Sequence, residues 1–461
     1  MFLENHPKQT AAKFSCFLLL VFFIASCTKT NSFRQVNVSA PASSAATLST
    51  KPNIIIFIGD DVGFEIPAYN GGQTYSTPNL DFMANNGVQF QEFYTHPDGS
   101  PTRQAFLTGK YNFRNYLGWG YLPPGEKTVA NLLKRGGYAT CYTGKWQLSG
   151  GDKRIRQAGF DKYRVFLPTG HGQRVNRYKD PKLFESNAYL PDSVTKGRFS
   201  EDMFYDYVSN FIDSNKTKPF FTIFSHNLPA QPWVPTPDDP DFATWSAAND
   251  NKLSNKKYFP GMIAYMDKTI GKVIKKVQDA GIANNTIIMF IEDNATDTRI
   301  TSLWRGQVVT GTKTTTAKKG TNSPFVAYWP GVVPHQVTTT IVDVTDFMPT
   351  LAALAGITVP ATYGTMDGVS FYDNLMGTTG KDRSWTFCQW DNDPTTSDVL
   401  PERYVNDQNY KLYDTVGIGN GKFYRIGIDP YELNAIPDSG LTTAEKQIKE
   451  NFKLVLSTMH N

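Results

Sequence analysis

The chain has 461 residues, enough for a large core and more than one structural unit. Its formal net charge of +4 is small for that length and spread along the chain, with no dense basic patch interleaved with aromatics, so nucleic-acid binding has no support. Aromatic residues make up 13%; a carbohydrate site could draw on a few of these rings, while most serve the core and loops.

The N-terminus reads as a targeting segment. Lys8 and Lys13 precede "FSCFLLLVFFIASC", an apolar run too short to span a bilayer and closed by small residues. The ending "IASC" resembles the lipobox of bacterial lipoproteins, which implies cleavage before Cys27 and a membrane anchor on its sulfur. Residues 1–27 are accordingly expected to be signal peptide and lipobox. Residues 28–50, rich in Ser, Thr and Ala, are expected to be a flexible tether. The reading is an exported bacterial lipoprotein on the periplasmic side or the cell surface. Cys16 leaves with the signal, and Cys141 and Cys388 remain inside apolar runs as buried free thiols.

From Lys51 strands and helices alternate. "NIIIFIGDD" suits a strand buried on both faces, and "TPNLDFMANNG" a helix with Thr77 as cap and Pro78 at its first position. "THPDGSPTRQAFLTGKY" predicts a loop turning into a helix at Pro101, with Arg103 in the first turn. Free backbone donors and a guanidinium there suit an anion. Gly99 is the loop residue just ahead, where a reacting side chain would stand. "TVANLLKRGG" is a helix closed by glycine, "YATCYTG" a strand, "SEDMFYDYVSNFIDS" a helix, "PFFTIFSH" a strand, "YFPGMIAYMDKTIGKVIKKVQDAG" a long amphipathic helix and "TIIMFIEDN" a strand. This order implies an α/β domain over 51–375, with a mostly parallel central sheet sandwiched by helices. After about Leu375 short extended runs precede "TTAEKQIKENFKLVLSTM", predicting a small antiparallel sheet plus helix over 376–461.

In such folds ligands gather at the carboxyl ends of strands. Two strands end in oxygen ligands, Asp60-Asp61 and Asp293-Asn294. Three carboxylates and an amide without His or Cys suit a hard cation, Ca²⁺ first and Mg²⁺ second.

"PNIIIFIGDDVG", "SPTRQAFLTGKY", "TVANLLKRGGYATCYTGKW", "IIMFIEDN", "DVTDFMPTLAALAGI" and, near the end, "NYKLYD" and "DPYELN" together resemble the sulfatase family of the alkaline-phosphatase-like superfamily. The resemblance implies that Asp60, Asp61, Asp293 and Asn294 hold a metal and that Arg103, Lys145 and Lys313 grip sulfate oxygens. Members carry C-x-P-x-R or S-x-P-x-R, whose first residue becomes formylglycine, the nucleophile. Here the five positions read Gly99, Ser100, Pro101, Thr102 and Arg103, so no formylglycine can form at Gly99. Where the family has "GKWHLG" this chain has "GKWQLSG", placing Gln147 at the histidine. The "PHxP" stretch reads "PAQP", and Gln231 is taken for the second histidine.

Glutamine can replace a histidine's hydrogen bond but cannot exchange a proton near neutral pH, and glycine cannot form a covalent intermediate. The first expectation is a sulfatase relative that binds a metal and a sulfated ligand, such as a glycan, with little or no hydrolysis. The second is an active sulfuric or phosphoric ester hydrolase using metal-activated water or a displaced group, for which Asp98, Ser100, His96, His171 and His226 are candidates. The third is a structural lipoprotein with a fossil site. His6, His335 and His460 lie in the signal, a loop and the tail.

Overall fold

The computed structural model describes residues 51–167, 176–391 and 400–459. The segments expected to be signal peptide, Cys27 anchor and tether, and with them His171 and His460, lie outside the described residues.

"NIIIFIG" forms β1 (Asn53–Gly59), and all seven of its residues are buried. Then follow β2 (Val88–Tyr94), β3 (Ala139–Lys145), β4 (Lys162–Phe166), β5 (Leu183–Glu185), β6 (Ala188–Tyr189), β7 (Phe220–Ser225) and β8 (Thr286–Glu292). A hairpin, β9 (Thr301–Trp304) and β10 (Gln307–Thr310), precedes β11 (Phe325–Tyr328) and β12 (Gln336–Asp343). Ten strands make one sheet in the order β12-β2-β11-β8-β1-β7-β3-β4-β5-β6.

The centre, β8-β1-β7-β3-β4, is parallel throughout, as the buried apolar runs predict. The sheet as a whole is mixed, because β11 runs antiparallel to both β8 and β2, and β5 and β6 close the far edge in antiparallel pairs. No helix carries the chain back across the sheet between β8 and β11. It re-enters from the end at which it left, which only an antiparallel strand can do. That detour holds Asp293, Asn294 and Lys313 at the carboxyl end of the sheet.

Alternate residues of β1 face opposite sides. Ile55 and Phe57 join Leu80, Met203, Phe204, Met262 and Ile270 in one core, under the helices Pro78–Asn85, Ser200–Asn215 and Phe259–Asp279. The helices Gly99–Thr108, Val129–Arg135 and Phe347–Leu354 form a second group, with Phe106 and Phe347 rings 5.0 Å apart. A separate antiparallel sheet, β13 (Thr386–Trp390), β14 (Glu402–Asn406), β15 (Lys411–Tyr413) and β16 (Phe423–Tyr424), packs Phe387, Val405 and Leu412 against Phe452 and Leu456 of the helix Thr443–Thr458. Cys141 and Cys388 are buried free thiols, and burial pushes both up to about 12.

One predicted cap works differently. Thr77 occupies the N-cap position of Pro78–Asn85, but its hydroxyl accepts from Ala68 N at 3.1 Å and makes no cap bond. The buried Asp267 carboxylate caps the helix instead, accepting from Asn79 N at 3.0 Å and Leu80 N at 2.9 Å. A carboxylate at a helix N-terminus meets both the free donors and the dipole. Asp267→Ala should therefore destabilise the fold by roughly 2–4 kcal/mol, read as a lower urea midpoint with an unchanged slope.

Candidate active site

The carboxyl ends of β1, β3 and β8 converge with the N-terminus of the helix Gly99–Thr108. Asp60 and Asp61 follow β1, Asp293 and Asn294 follow β8, and Lys145 ends β3. Oxygens of Asp60, Asp61 and Asp293 lie within 4.8 Å of one another, all buried. Asp61 takes a left-handed backbone, φ 77°, a conformation costing on the order of 1–3 kcal/mol for a non-glycine residue. Asn294 Nδ2 donates to Asp61 Oδ1 at 2.8 Å and to Ala295 O at 2.9 Å, which fixes the amide and leaves Oδ1 as an acceptor.

Four cations answer these acids. Lys145 Nζ sits 2.6 Å from Asp60 Oδ1 and 3.7 Å from Asp293 Oδ2. Arg103 Nη2 lies 2.7 Å from Asp293 Oδ2, and Lys313 Nζ bonds Asp61 Oδ1. Arg177 Nη1 stands 3.9 Å from Asp60 Oδ2. Burial alone would raise the Asp60 carboxyl, but Lys145, Arg103, Arg177 and Lys313 together hold it down to about 2. At Asp293 burial wins over Arg103 and Lys145, and the carboxyl is raised. Burial, aided by Arg103, pushes the Lys145 ammonium down. Lys313 goes up despite burial, because Asp61 and Asp98 face it.

The unmet hydrogen-bonding capacity defines what the site can hold. Asp60 Oδ2, both Asp293 oxygens and Asn294 Oδ1 are buried without a hydrogen-bond partner. So are Nε, Nη1 and Nη2 of Arg103, whose contact with Asp293 is an ion pair without hydrogen-bond alignment. Orphaned acceptors, all oxygen, fit a hard divalent cation, and orphaned guanidinium donors fit an oxyanion.

This arrangement has known relatives. The sulfatase family model, described as "Sulfatase", matches residues 52–357. The chain belongs to the sulfatase family. A second model, "N-sulphoglucosamine sulphohydrolase, C-terminal", matches residues 313–459. Arylsulfatase A of Homo sapiens is 26% identical over 71% of this chain and 68% of its own length. Arylsulfatase G of Rattus norvegicus is 28% identical over 72% and 70%. Among solved structures, BT4656 in complex with its substrate D-glucosamine-2-N,6-O-disulfate superposes with a TM-score of 0.72 at 21% identity, covering 89% of this chain and 97% of that one. Ps i-CgsB in complex with k-i-k-neocarrahexaose gives 0.70 at 22% identity, covering 89% and 92%.

Within this sulfatase fold there is no room for a side chain at Gly99 beside Asp293. The helix starts two residues earlier than its proline suggests: Gly99 is its first residue and Asp98 its N-cap. Asp98 has an Asx-type side chain that can accept from the first turn, a stronger signal than proline, which tolerates several early positions. Asp98 Oδ1 accepts from Ser100 N at 3.2 Å and Trp119 Nε1 at 3.1 Å, so this oxygen serves the cap and the indole. Ser100 Oγ accepts from Gly120 N at 2.6 Å. A Cβ on Gly99 would sit 2.1 Å from Asp293 Oδ2 and 3.3 Å from Asn294 Oδ1.

Gln147 is buried with a left-handed backbone, φ 52°, just beyond Lys145. Gln231 does not join the cluster: its side chain is exposed and accepts from Arg299 at 2.7 Å, while its carbonyl accepts from Arg177 Nη1 at 2.9 Å. The neighbouring Ala230 is the buried one. Pro229 and Pro232 bracket both residues, and a strict P-H-x-P register would have pointed to position 230. Sequence reasoning also missed Arg177, which stands in a loop beyond β4 without a motif around it.

His96 and His226, the candidate histidines among the described residues, have other partners. His226 is fully buried, stacked on Phe57 and Phe224, with Nδ1 2.9 Å from Glu201 Oε2. His335 is exposed in its loop. His96 is buried with Nδ1 3.2 Å from Cys388 Sγ, and burial pushes it down to about 4. A histidine lowered on folding stabilises fully above its unfolded value near 6.5. That contribution is lost as pH falls through 6.5 toward 4, because only the unfolded chain takes the proton. The loss sums to about 3 kcal/mol at 1.36 kcal/mol per unit. His96→Gln should flatten this acid-side decline in urea-unfolding free energy between pH 7 and pH 4; a parallel decline in both proteins would contradict the assignment.

Proposed function

We propose that this sulfatase-family protein binds a divalent cation, Ca²⁺ first and Mg²⁺ second, and grips the sulfate of a sulfated glycan, with little or no ester hydrolysis. Asp60, Asp61, Asp293 and Asn294 would hold the cation, which supplies charge to neutralise the bound oxyanion. Arg103, Lys145 and Lys313 would take the sulfate oxygens. The carrying observation is the pairing of orphaned oxygens on Asp60, Asp293 and Asn294 with orphaned donors on Arg103. The fold neighbours solved with glucosamine disulfate and a carrageenan hexasaccharide support a glycan as the ligand class.

Weak turnover follows from what the pocket lacks. Gly99 has no nucleophile, and a side chain there must first displace Asp293. Gln147 cannot carry a proton near neutrality. Of the candidates for a rerouted hydrolysis, Asp98 Oδ1 and Ser100 Oγ already accept from Trp119 and Gly120.

Calorimetric titration should find one Ca²⁺ site in the native protein and none in Asp60→Ala. Arg103→Ala should weaken binding of glucosamine-2-N,6-O-disulfate by about 10- to 150-fold, the equivalent of losing a charge-assisted bond worth roughly 1.5–3 kcal/mol. Aryl sulfate turnover should stay near background in the native protein and in Gly99→Cys. Brisk, metal-dependent turnover by the native chain would sink the binding-only reading.

We further propose that the protein is an exported lipoprotein anchored through Cys27, on the strength of "IASC" after a basic, short apolar run. Cys27→Ala should move it from the membrane pellet to the soluble fraction, or block its processing. A native mature chain starting elsewhere would refute the anchor.

A further inference from the structure

The loop of residues 116–121, which follows Asn115, is fastened to the site residues along its length. At its start, Asn115 O accepts from Gln104 Nε2 at 2.5 Å and Asn115 Nδ2 donates to Thr108 Oγ1 at 3.1 Å, both on the helix Gly99–Thr108. Further on, Trp119 Nε1 donates to Asp98 Oδ1 at 3.1 Å, and Gly120 N donates to Ser100 Oγ at 2.6 Å. Gly120 has a left-handed backbone, φ 67°, and a Cβ there would lie 3.0 Å from the Gln147 carbonyl oxygen.

These ties set the loop between two lysines of the anion grip. On one side Asp98 faces Lys313, and Pro97 O accepts from the N–H of Thr314, the residue after Lys313, at 2.9 Å. On the other side Gln147 stands two residues beyond Lys145, at the end of β3. Trp119 and Gly120 therefore bridge the Lys313 side of the grip to its Lys145 side.

The side chains along this rim are apolar and reach solvent. Leu117 is 59% exposed, Tyr121 is 36% exposed and Trp119 is half-buried. The bond from Nε1 to Asp98 orients the indole by its polar edge. A free sulfate has no apolar atoms to lay against such a ring, whereas the carbon skeleton of a pyranose does. Apolar and aromatic walls beside a few fixed polar groups are the usual make-up of a small-ligand site. We propose that Trp119 is a stacking wall for the sugar ring that carries the gripped sulfate, so that the protein selects a sulfated sugar over the bare anion. This rests on the reading that Arg103, Lys145 and Lys313 hold the sulfate.

The test is calorimetry on the full chain with glucosamine-2-N,6-O-disulfate and inorganic sulfate, dianions of which only the first has a ring. Trp119→Phe and Trp119→Leu both lose the bond to Asp98 and keep apolar bulk, but only the first keeps an aromatic face. The native protein should bind the sugar about tenfold tighter than sulfate. Trp119→Phe should hold that ratio within about threefold, and Trp119→Leu should lower it about tenfold. Equal ratios in the two variants, or a native ratio near unity, overturn the stacking wall. In either case weaker binding of both probes by Arg103→Ala still upholds the sulfate grip. Failure of the native protein to bind either probe overturns wall and grip together.

Discussion

Three carboxylates with oxygens within 4.8 Å of one another, buried at the carboxyl edge of the sheet, are the constraint that organises this molecule. Like charges at about 4 Å repel by roughly 4 kcal/mol at the effective dielectric of a protein, and burial adds its own cost. Such a cluster persists only where cations or a metal compensate it. Arg103, Lys145, Lys313 and Arg177 come from a helix, a strand end and two loops, and each ends on one of these acids. The fold thus concentrates opposite charges that no single segment could assemble.

The same crowding explains the layer beneath. Glu292, next to Asp293, is buried with Oε2 unpartnered, and burial together with Asp293 holds its carboxyl well above the ordinary range. A neutral acid there avoids a further negative charge against the cluster. Its carboxyl needs the space above Gly59, where a Cβ would lie 2.0 Å from Oε2. Gly99 serves a parallel end on the opposite wall by giving Asp293 room beside Arg103. Two glycines on two elements therefore make the acidic centre possible by contributing no side chain.

Much of this was legible in the sequence because it is periodic or local. Continuous apolar runs located β1, β7 and β8, and alternation of these with amphipathic helices gave the parallel centre. Oxygen-bearing side chains directly after buried strands marked Asp60, Asp61, Asp293 and Asn294, because ligands in such folds gather at the carboxyl ends of strands. The direction of β11 was less legible, because antiparallel insertion depends on where the chain re-enters the sheet and not on its residues. Thr77 has the identity of a cap, yet Asp267, far along the chain, reaches the free amides instead.

By itself the sequence determined the layered α/β architecture, the family, the oxygen-only chemistry of the strand-end side chains and the absence of a side chain at position 99. These follow from hydrophobic period, residue chemistry and motif order, which neighbours in the chain settle among themselves. Tertiary structure alone decided that Arg177 reaches Asp60, that Gln231 turns outward to Arg299 while Ala230 turns in, and that Asp98 Oδ1 and Ser100 Oγ accept from Trp119 and Gly120. These outcomes are contests between partners distant in sequence, won by distance and direction in space.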